Sequence, residues 1–230
     1  MKNLQMLTFI GLIMVGMSGC EKVKVTNEAS GDVFVKAIKD ASGTTVYTAI
    51  HSVFSYNNMT SVSVKTPEGL TESLTSFDSG GNSYFNEPVE SDYVQLPPTP
   101  GAYVYNVTFQ DGETKTYSNT LLAGTLQPAL ITSLVKSASG DSIYISWNAI
   151  TSTDAYQLKI SRGTTQVYYQ PAFQDGSTPK KANLRIGMLL SALTSGVTGT
   201  YTFELTGLLF ENTNYDYLQA ISTSIKEIAL

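Results

Sequence analysis

The sequence predicts an all-β protein made of two tandem antiparallel β-sandwiches. Three observations predict it. Large apolar residues recur at every second position in many short segments, which places them on one face of a strand. Turn-forming clusters separate those segments at roughly the 8 to 12 residue spacing of sandwich strands. Residues 101–108, GAYVYNVT, recur in altered form as residues 199–206, GTYTFELT. The offset of 98 residues is about the length of one sandwich domain.

The strands follow in order. Val33, Val35 and Ala37 alternate, as do Val62 and Val64. GAYVYNVT puts Tyr103, Tyr105 and Val107 on one face. IYISWN does the same for Ile143, Ile145 and Trp147. AYQLKI turns Tyr156, Leu158 and Ile160 inward and Gln157 and Lys159 outward. Leu184, Ile186 and Met188 alternate next, and GTYTFELT aligns Tyr201, Phe203 and Leu205. In the repeat, Gly101 matches Gly199, Tyr103 matches Tyr201, Tyr105 matches Phe203, Val107 matches Leu205 and Thr108 matches Thr206. Turn clusters stand at 41–43, 79–82, 110–113 and 139–141. Asp111-Gly112 is a strong hairpin signal, because glycine takes positive φ without steric cost. No convincing helical period follows Cys20, although GMLLSALT, residues 187–194, has the length for one or two helical turns.

The first 20 residues have a different character. Lys2 precedes the apolar run MLTFIGLIMV, and Ser18 and Gly19 lead to Cys20, the sole cysteine. A basic start, a short apolar core and a small-residue exit describe a secretory signal peptide. The run is shorter than the roughly 20 residues of a membrane span. Met17-Ser18-Gly19-Cys20 resembles the lipobox of bacterial lipoproteins, with Met17 where that family usually has Leu, Val or Ile. The resemblance implies removal of residues 1–19, acylation of Cys20 and a palmitate-type membrane anchor. Several acyl chains give stable membrane binding where one gives only marginal binding. The expected organisation is a signal peptide (1–19), a lipidated N-terminus and short tether (20–23), a first sandwich (24–124) and a second sandwich (125–230). The boundary lies in the stretch Ala123 to Pro128.

Composition narrows the function classes. Lys2 is the sole charge in residues 1–19, so the mature chain carries 13 basic and 19 acidic side chains, net −6. That balance fits a monomer and argues against nucleic acid as partner, since phosphate neutralisation needs a basic surface. Lys180-Lys181 is the longest basic run and reads as a solvated loop. One cysteine excludes an internal disulfide, so packed cores must supply the stability.

The second copy resembles a fibronectin type III domain through Ser146-Trp147, Tyr156-Gln157-Leu158 and Gly199-Thr200-Tyr201-Thr202-Phe203. The resemblance implies a central role for Trp147 and a hydrogen-bonded corner closed by the Tyr201 hydroxyl. The first copy is immunoglobulin-like more loosely, with Tyr103 as its equivalent core residue and no tryptophan.

Candidates for chemistry are few. His51 is the sole histidine and reads as a partly exposed strand residue. One histidine is too few for a zinc site, no catalytic motif is present, and nothing implies a cofactor. Glu87, Glu90 and Asp92 could offer oxygen ligands to calcium, although an ordinary solvated loop explains them as well. Tyr84-Phe85 and Tyr168-Tyr169 are adjacent pairs, so one member of each faces away from its neighbour and is a candidate contact to a sugar or partner. Asp141-Ser142-Ile143 resembles a short O-glycosylation acceptor at Ser142. The expected function is a non-enzymatic binding, adhesion or scaffolding module of the bacterial envelope, lipid-anchored at the outer membrane on its periplasmic or its surface face, with an envelope protein or glycan as partner. The alternatives are an accessory subunit of a surface glycan or adhesin system, or a hydrolase with an unrecognised site.

Overall fold

Alternation makes the strands, and pairing sorts them into three sheets. The computed structural model describes residues 26–140, 142–174, 180–185, 198–215 and 217–230. The strands are β1 Ala29–Lys39, β2 Thr45–Ser55, β3 Met59–Lys65, β4 Thr71–Ser73, β5 Thr75–Ser76, β6 Ser83–Asn86, β7 Gly101–Phe109 and β8 Thr114–Leu121 in the first half. In the second they are β9 Ile131–Lys136, β10 Ser142–Trp147, β11 Ala155–Arg162, β12 Thr165–Phe173, β13 Lys180–Arg185, β14 Thr200–Phe210 and β15 Leu218–Ala229. Among the described residues the one helical element is a 3-10 turn at Glu90–Asp92, and no helix is long and apolar enough to cross a membrane. Cys20, the GMLLSALT stretch and the alternating positions Ile186 and Met188 lie outside the described residues.

The first half sets β1-β2-β6-β5 against β4-β3-β7-β8. In chain order, this places the first, second, sixth and fifth strands opposite the third, seventh and eighth. It is the two-sheet arrangement of immunoglobulin sandwiches, with β4 as an added edge. The second half sets β13-β10-β9 against β12-β11-β14-β15, the same arrangement with β12 as the added edge in the place of β4 and, among the described residues, no counterpart of β5. The repeated octapeptides are therefore β7 and β14, the same strand of each sandwich.

The two halves share a sheet. β15 pairs in parallel with β1, Val35 opposite Ala220, Lys36 opposite Ile221 and Ala37 opposite Ser222, which makes one eight-stranded sheet. Side-chain parity carries across this joint. Val33, Val35 and Ala37 are buried on one face of β1, and Ala220 and Ser222 continue that face onto β15. Ser222 and Ser224 oppose Gly207 and Leu205 on β14, in line with buried Phe203 and Tyr201. Both smaller sheets thus roof the same face of the long sheet, and the buried apolar residues form one contiguous cluster from Val33 to Ala220.

Trp147, fully buried, packs edge-on against Tyr156 with ring centroids 5.5 Å apart and against Phe173 at 6.3 Å. Burying an aromatic of this size removes some 150–250 Å² of surface from water, which makes it a dominant contributor to its core. Tyr103 and Tyr201 are equally buried. The Tyr103 hydroxyl donates to the Thr99 carbonyl four residues earlier, at 3.1 Å, closing a corner of the first half. The Tyr201 hydroxyl is buried without a partner among the described residues, and position 197, four residues before it, is outside them. Gly101 and Gly199 both take φ +140°, a conformation that side chains disfavour, so each glycine is required where its strand begins.

Candidate functional site

Two places in the first half stand out, at opposite ends of its strands. The first is built around His51. β2 turns His51 to the same face as Val53, and its cross-strand partner is Val33. It is 1% exposed, so the expectation of a partly exposed strand histidine is corrected: parity with the core positions decides its side. Its Nδ1 lies 3.2 Å from the Tyr105 hydroxyl, which in turn donates to the Asp32 carbonyl at 2.7 Å. Burial pushes the imidazole down to about 4, which keeps it neutral at pH 7. The Tyr103 ring lies 5.3 Å away. Burial, then the charges of Glu68 and Glu72, push the Tyr103 phenol up to about 12. A cavity of about 210 Å³ opens beside His51, walled by Tyr103, Thr99, Glu68, Glu72 and Asp92.

The second place is an aromatic corner on the outer face of the long sheet. Phe54 opposes Ser83, and Phe85, two residues further along β6, shares that face as the diagonal neighbour of Phe54. Phe54 packs on Tyr56 at 5.1 Å, and Phe85 on Phe77 at 6.5 Å, both edge-on. Tyr56 is 92% exposed and Phe77 79%. Two shallow depressions adjoin the corner. One of about 480 Å³ is lined by Tyr56 with Asn27, Asn57, Asn58, Gln110 and Asp111. The other, about 400 Å³, includes Ser76, Asp78 and Gln110.

The residues singled out by sequence divide as follows. Tyr84 points inward, 8% exposed, its hydroxyl donating to the Met59 carbonyl, so it belongs to the core and cannot serve as a contact. Phe85 points outward into the corner. Tyr168 is half-buried against the core. Tyr169 is 47% exposed on the far edge sheet strand β12, where Gln157 donates to its hydroxyl. Glu87, Glu90 and Asp92 do not converge on a cation. Glu87 pairs with Lys36 and accepts from the Tyr93 hydroxyl, Glu90 faces a groove with Lys36 and Lys39, and Asp92 faces the His51 cavity. No three metal-ligating side chains gather among the described residues. Ser142 is 8% exposed, with its backbone N–H bonded to the Ser137 hydroxyl, which leaves little of it open to a modifying enzyme.

Sequence reasoning missed Phe54, Tyr56 and Phe77. The first two were legible in principle, since Phe54-x-Tyr56 has a strand period out of phase with Val53 and Ser55. The groove beside Lys36, about 520 Å³, runs along the outer edge of β15. Its cations are engaged: Lys36 by Glu87, Lys39 by the Thr45 hydroxyl and Lys226 by the Ile131 carbonyl.

No protein-family model and no curated protein matches the chain. Among solved structures it is similar to a tetra-tandem repeat in the extending region of a large adhesion protein, at 15% identity and a TM-score of 0.28, over 88% of this chain and 50% of that one. It is also similar to a candidate carbohydrate binding protein from Bacteroides uniformis, at 12% identity and a TM-score of 0.32, over 86% and 99% of the two chains. The chain spans half the length of the adhesion-protein structure. At such scores the likenesses carry no argument, and the sandwich assignment rests on strand order and side-chain parity.

Proposed function

We propose that the protein is a bacterial envelope lipoprotein, anchored through acylated Cys20, that acts by binding, adhesion or scaffolding and not by catalysis. After removal of residues 1–19, the tether leads into two sandwich units, 24–124 and 125–230, the first of them next to the bilayer. The observation that carries this reading is where the chain enters the fold. Asn57 Nδ2 donates to the Thr26 carbonyl at 3.0 Å, and Asn27 Nδ2 donates to Asp111 at 2.8 Å and Glu113 at 2.7 Å. Thr26 is thereby pinned beside Tyr56, at the end of the first half that holds the aromatic corner. Cys20 is six positions earlier, a reach of about 20 Å when extended. The amphipathic ring of Tyr56 suits the membrane–water interface, and the apolar rings of Phe54, Phe77 and Phe85 beside it add apolar surface that a bilayer can cover, so the corner is suited to seat the first unit on the bilayer. The second unit then points away from the membrane, because β15 runs parallel to β1 and continues past its end.

The test uses the lipidated chain in nanodiscs that carry nitroxide-labelled lipid. Amides of Tyr56 and Phe77 should broaden strongly while those of β12 stay sharp. Equal sharpness at both places would overturn the seating. Loss of membrane fractionation in Cys20→Ser is also expected, and unchanged fractionation would end the lipoprotein reading. A second reading has its own support. Amides and carboxylates hydrogen-bond sugar hydroxyls and exposed rings stack on sugar faces, so the corner also suits the accessory subunit of a surface glycan system. Glycan-dependent shifts at Tyr56 and Phe77, with no effect of labelled lipid, would favour it.

A further inference from the structure

The cavity beside His51 has a chemistry of its own. A tyrosine hydroxyl has one proton, and that of Tyr105 goes to the Asp32 carbonyl. It can therefore meet His51 Nδ1 only as an acceptor, so Nδ1 carries the imidazole proton and donates. Nε2 is left with a bare lone pair and no hydrogen bond among the described residues. Nε2 is not among the fully enclosed side-chain atoms that lack a partner, so it opens to the space beside it and takes its partner from there, as water or as a ligand. His51 lines the cavity, whereas Tyr105, which takes Nδ1, does not. The unmatched edge of the ring is the one that faces the space.

The walls define what the partner must be. Glu68, Glu72 and Asp92 contribute three carboxylates, and no Lys or Arg is among the described lining residues. Hydroxyl donation, from Thr99 above all, holds Glu68 below its ordinary value and keeps it ionised. The Tyr103 hydroxyl already donates to Thr99. The site is rich in acceptors and negative charge, and its one buried hydroxyl without a partner among the described lining residues is that of Thr66, which can accept as well as donate. A metal ion fits badly, since the described ligands form no metal-holding group. An ammonium fits well: it carries three donors and one positive charge, enough for Nε2 and two carboxylates at once, and about 210 Å³ admits a short carbon chain behind it. We propose that this cavity binds the primary ammonium group of a small amine ligand, with His51 Nε2 as the acceptor at its inner wall and Glu68, Glu72 and Asp92 as the charge partners. The site is independent of the aromatic corner and of the lipid anchor.

The test is a titration of the full chain, ¹⁵N-labelled at histidine, with cadaverine and with 1,5-pentanediol, its neutral counterpart of equal length. Cadaverine should move the His51 Nε2 resonance and leave Nδ1 protonated, and the diol should bind at least tenfold more weakly. The Glu68→Gln/Glu72→Gln variant, altered on an exposed and a half-buried side chain that the core does not need, should bind cadaverine at least tenfold more weakly with unchanged thermal stability. Equal binding of the diol, an unmoved Nε2 resonance, or full cadaverine affinity in the variant would each overturn the proposal. A calcium-induced shift at Nε2 without an amine-induced one would do the same.

Discussion

The hairpins β7–β8 and β14–β15 occupy the same place in their two sandwiches, and their difference explains how the halves are joined. Both begin at a glycine with φ +140°, Gly101 and Gly199. Both start opposite a leucine, Leu121 and Leu230. Both carry a cross-strand threonine pair, Thr108 with Thr114 and Thr206 with Thr223, each with hydroxyls 3.4 Å apart. Past that pair they diverge. The first chain reverses at once, through Asp111-Gly112. The second continues through Gly207, Leu208, Leu209 and Phe210 and returns through Leu218 to Ser222. All three β15 positions that pair with β1, Ala220, Ile221 and Ser222, belong to this extension. One strand of a repeated unit has been lengthened, and the added length is the joint.

The largest expected effect tests whether the second half has a core of its own. Trp147→Ala should cost about 3–5 kcal/mol, the usual loss for a large buried aromatic. Calorimetry should show that loss chiefly in a transition of the second half, with the Asp32 to Tyr105 region protected from amide exchange until a higher temperature.

A second effect belongs to the first half alone, which holds the sole histidine. Folded His51 takes a proton only near pH 4, whereas the unfolded residue does so near 6.5. Between those values the unfolded chain binds more protons, so stability is complete above about pH 6.5 and declines as pH falls towards 4. The depression corresponds to about 3 kcal/mol. Tyr103, Tyr105, Glu68, Glu72 and Asp92 face or border the ring and stay in place in the comparison. Urea unfolding of the parent and of His51→Gln from pH 7 to 4 should show a steeper decline in the parent. Parallel declines would contradict the buried neutral state.

The glycine pair comes next. Gly101→Ala and Gly199→Ala should each cost about 1–3 kcal/mol, the range for a side chain forced into a sparsely populated backbone region, read from chemical denaturation. Unequal losses would break the equivalence of the two strands. The smallest effect concerns the corner hydroxyls. Tyr103→Phe should cost about 1 kcal/mol through its lost bond to Thr99. Tyr201→Phe should cost less, because its hydroxyl has no partner among the described residues.

Much of this was legible in the sequence because alternation is local. The inward faces of β1, β3, β7, β10, β11 and β14 follow from period two, and the match of residues 101–108 with 199–206 located the same strand in each half. Period two says which face a residue takes but not which strand lies beside it. The pairing of Val35 with Ala220 spans most of the chain, and no local pattern encodes it. The same holds for His51 and Tyr105, brought together from different sheets. His51 was misjudged because its polarity was weighed over its parity with Val53. The aromatic corner was half legible: Phe85 faced out because its neighbour Tyr84 on the same strand faces in, whereas Phe77 reached it from beyond the end of β5.

The central claim is that each half is a complete sandwich and that the lengthened hairpin only joins them. The direct measurement is amide exchange on fragments 24–124 and 125–230, expressed apart, against the intact chain. Each half buries its own roof and floor, so each fragment should protect its strands as the whole protein does. Lost protection should be confined to residues 35–37 and 220–222 and their immediate neighbours. If neither fragment protects its strands alone, the two halves are one indivisible β-structure and the hairpin extension is part of its core.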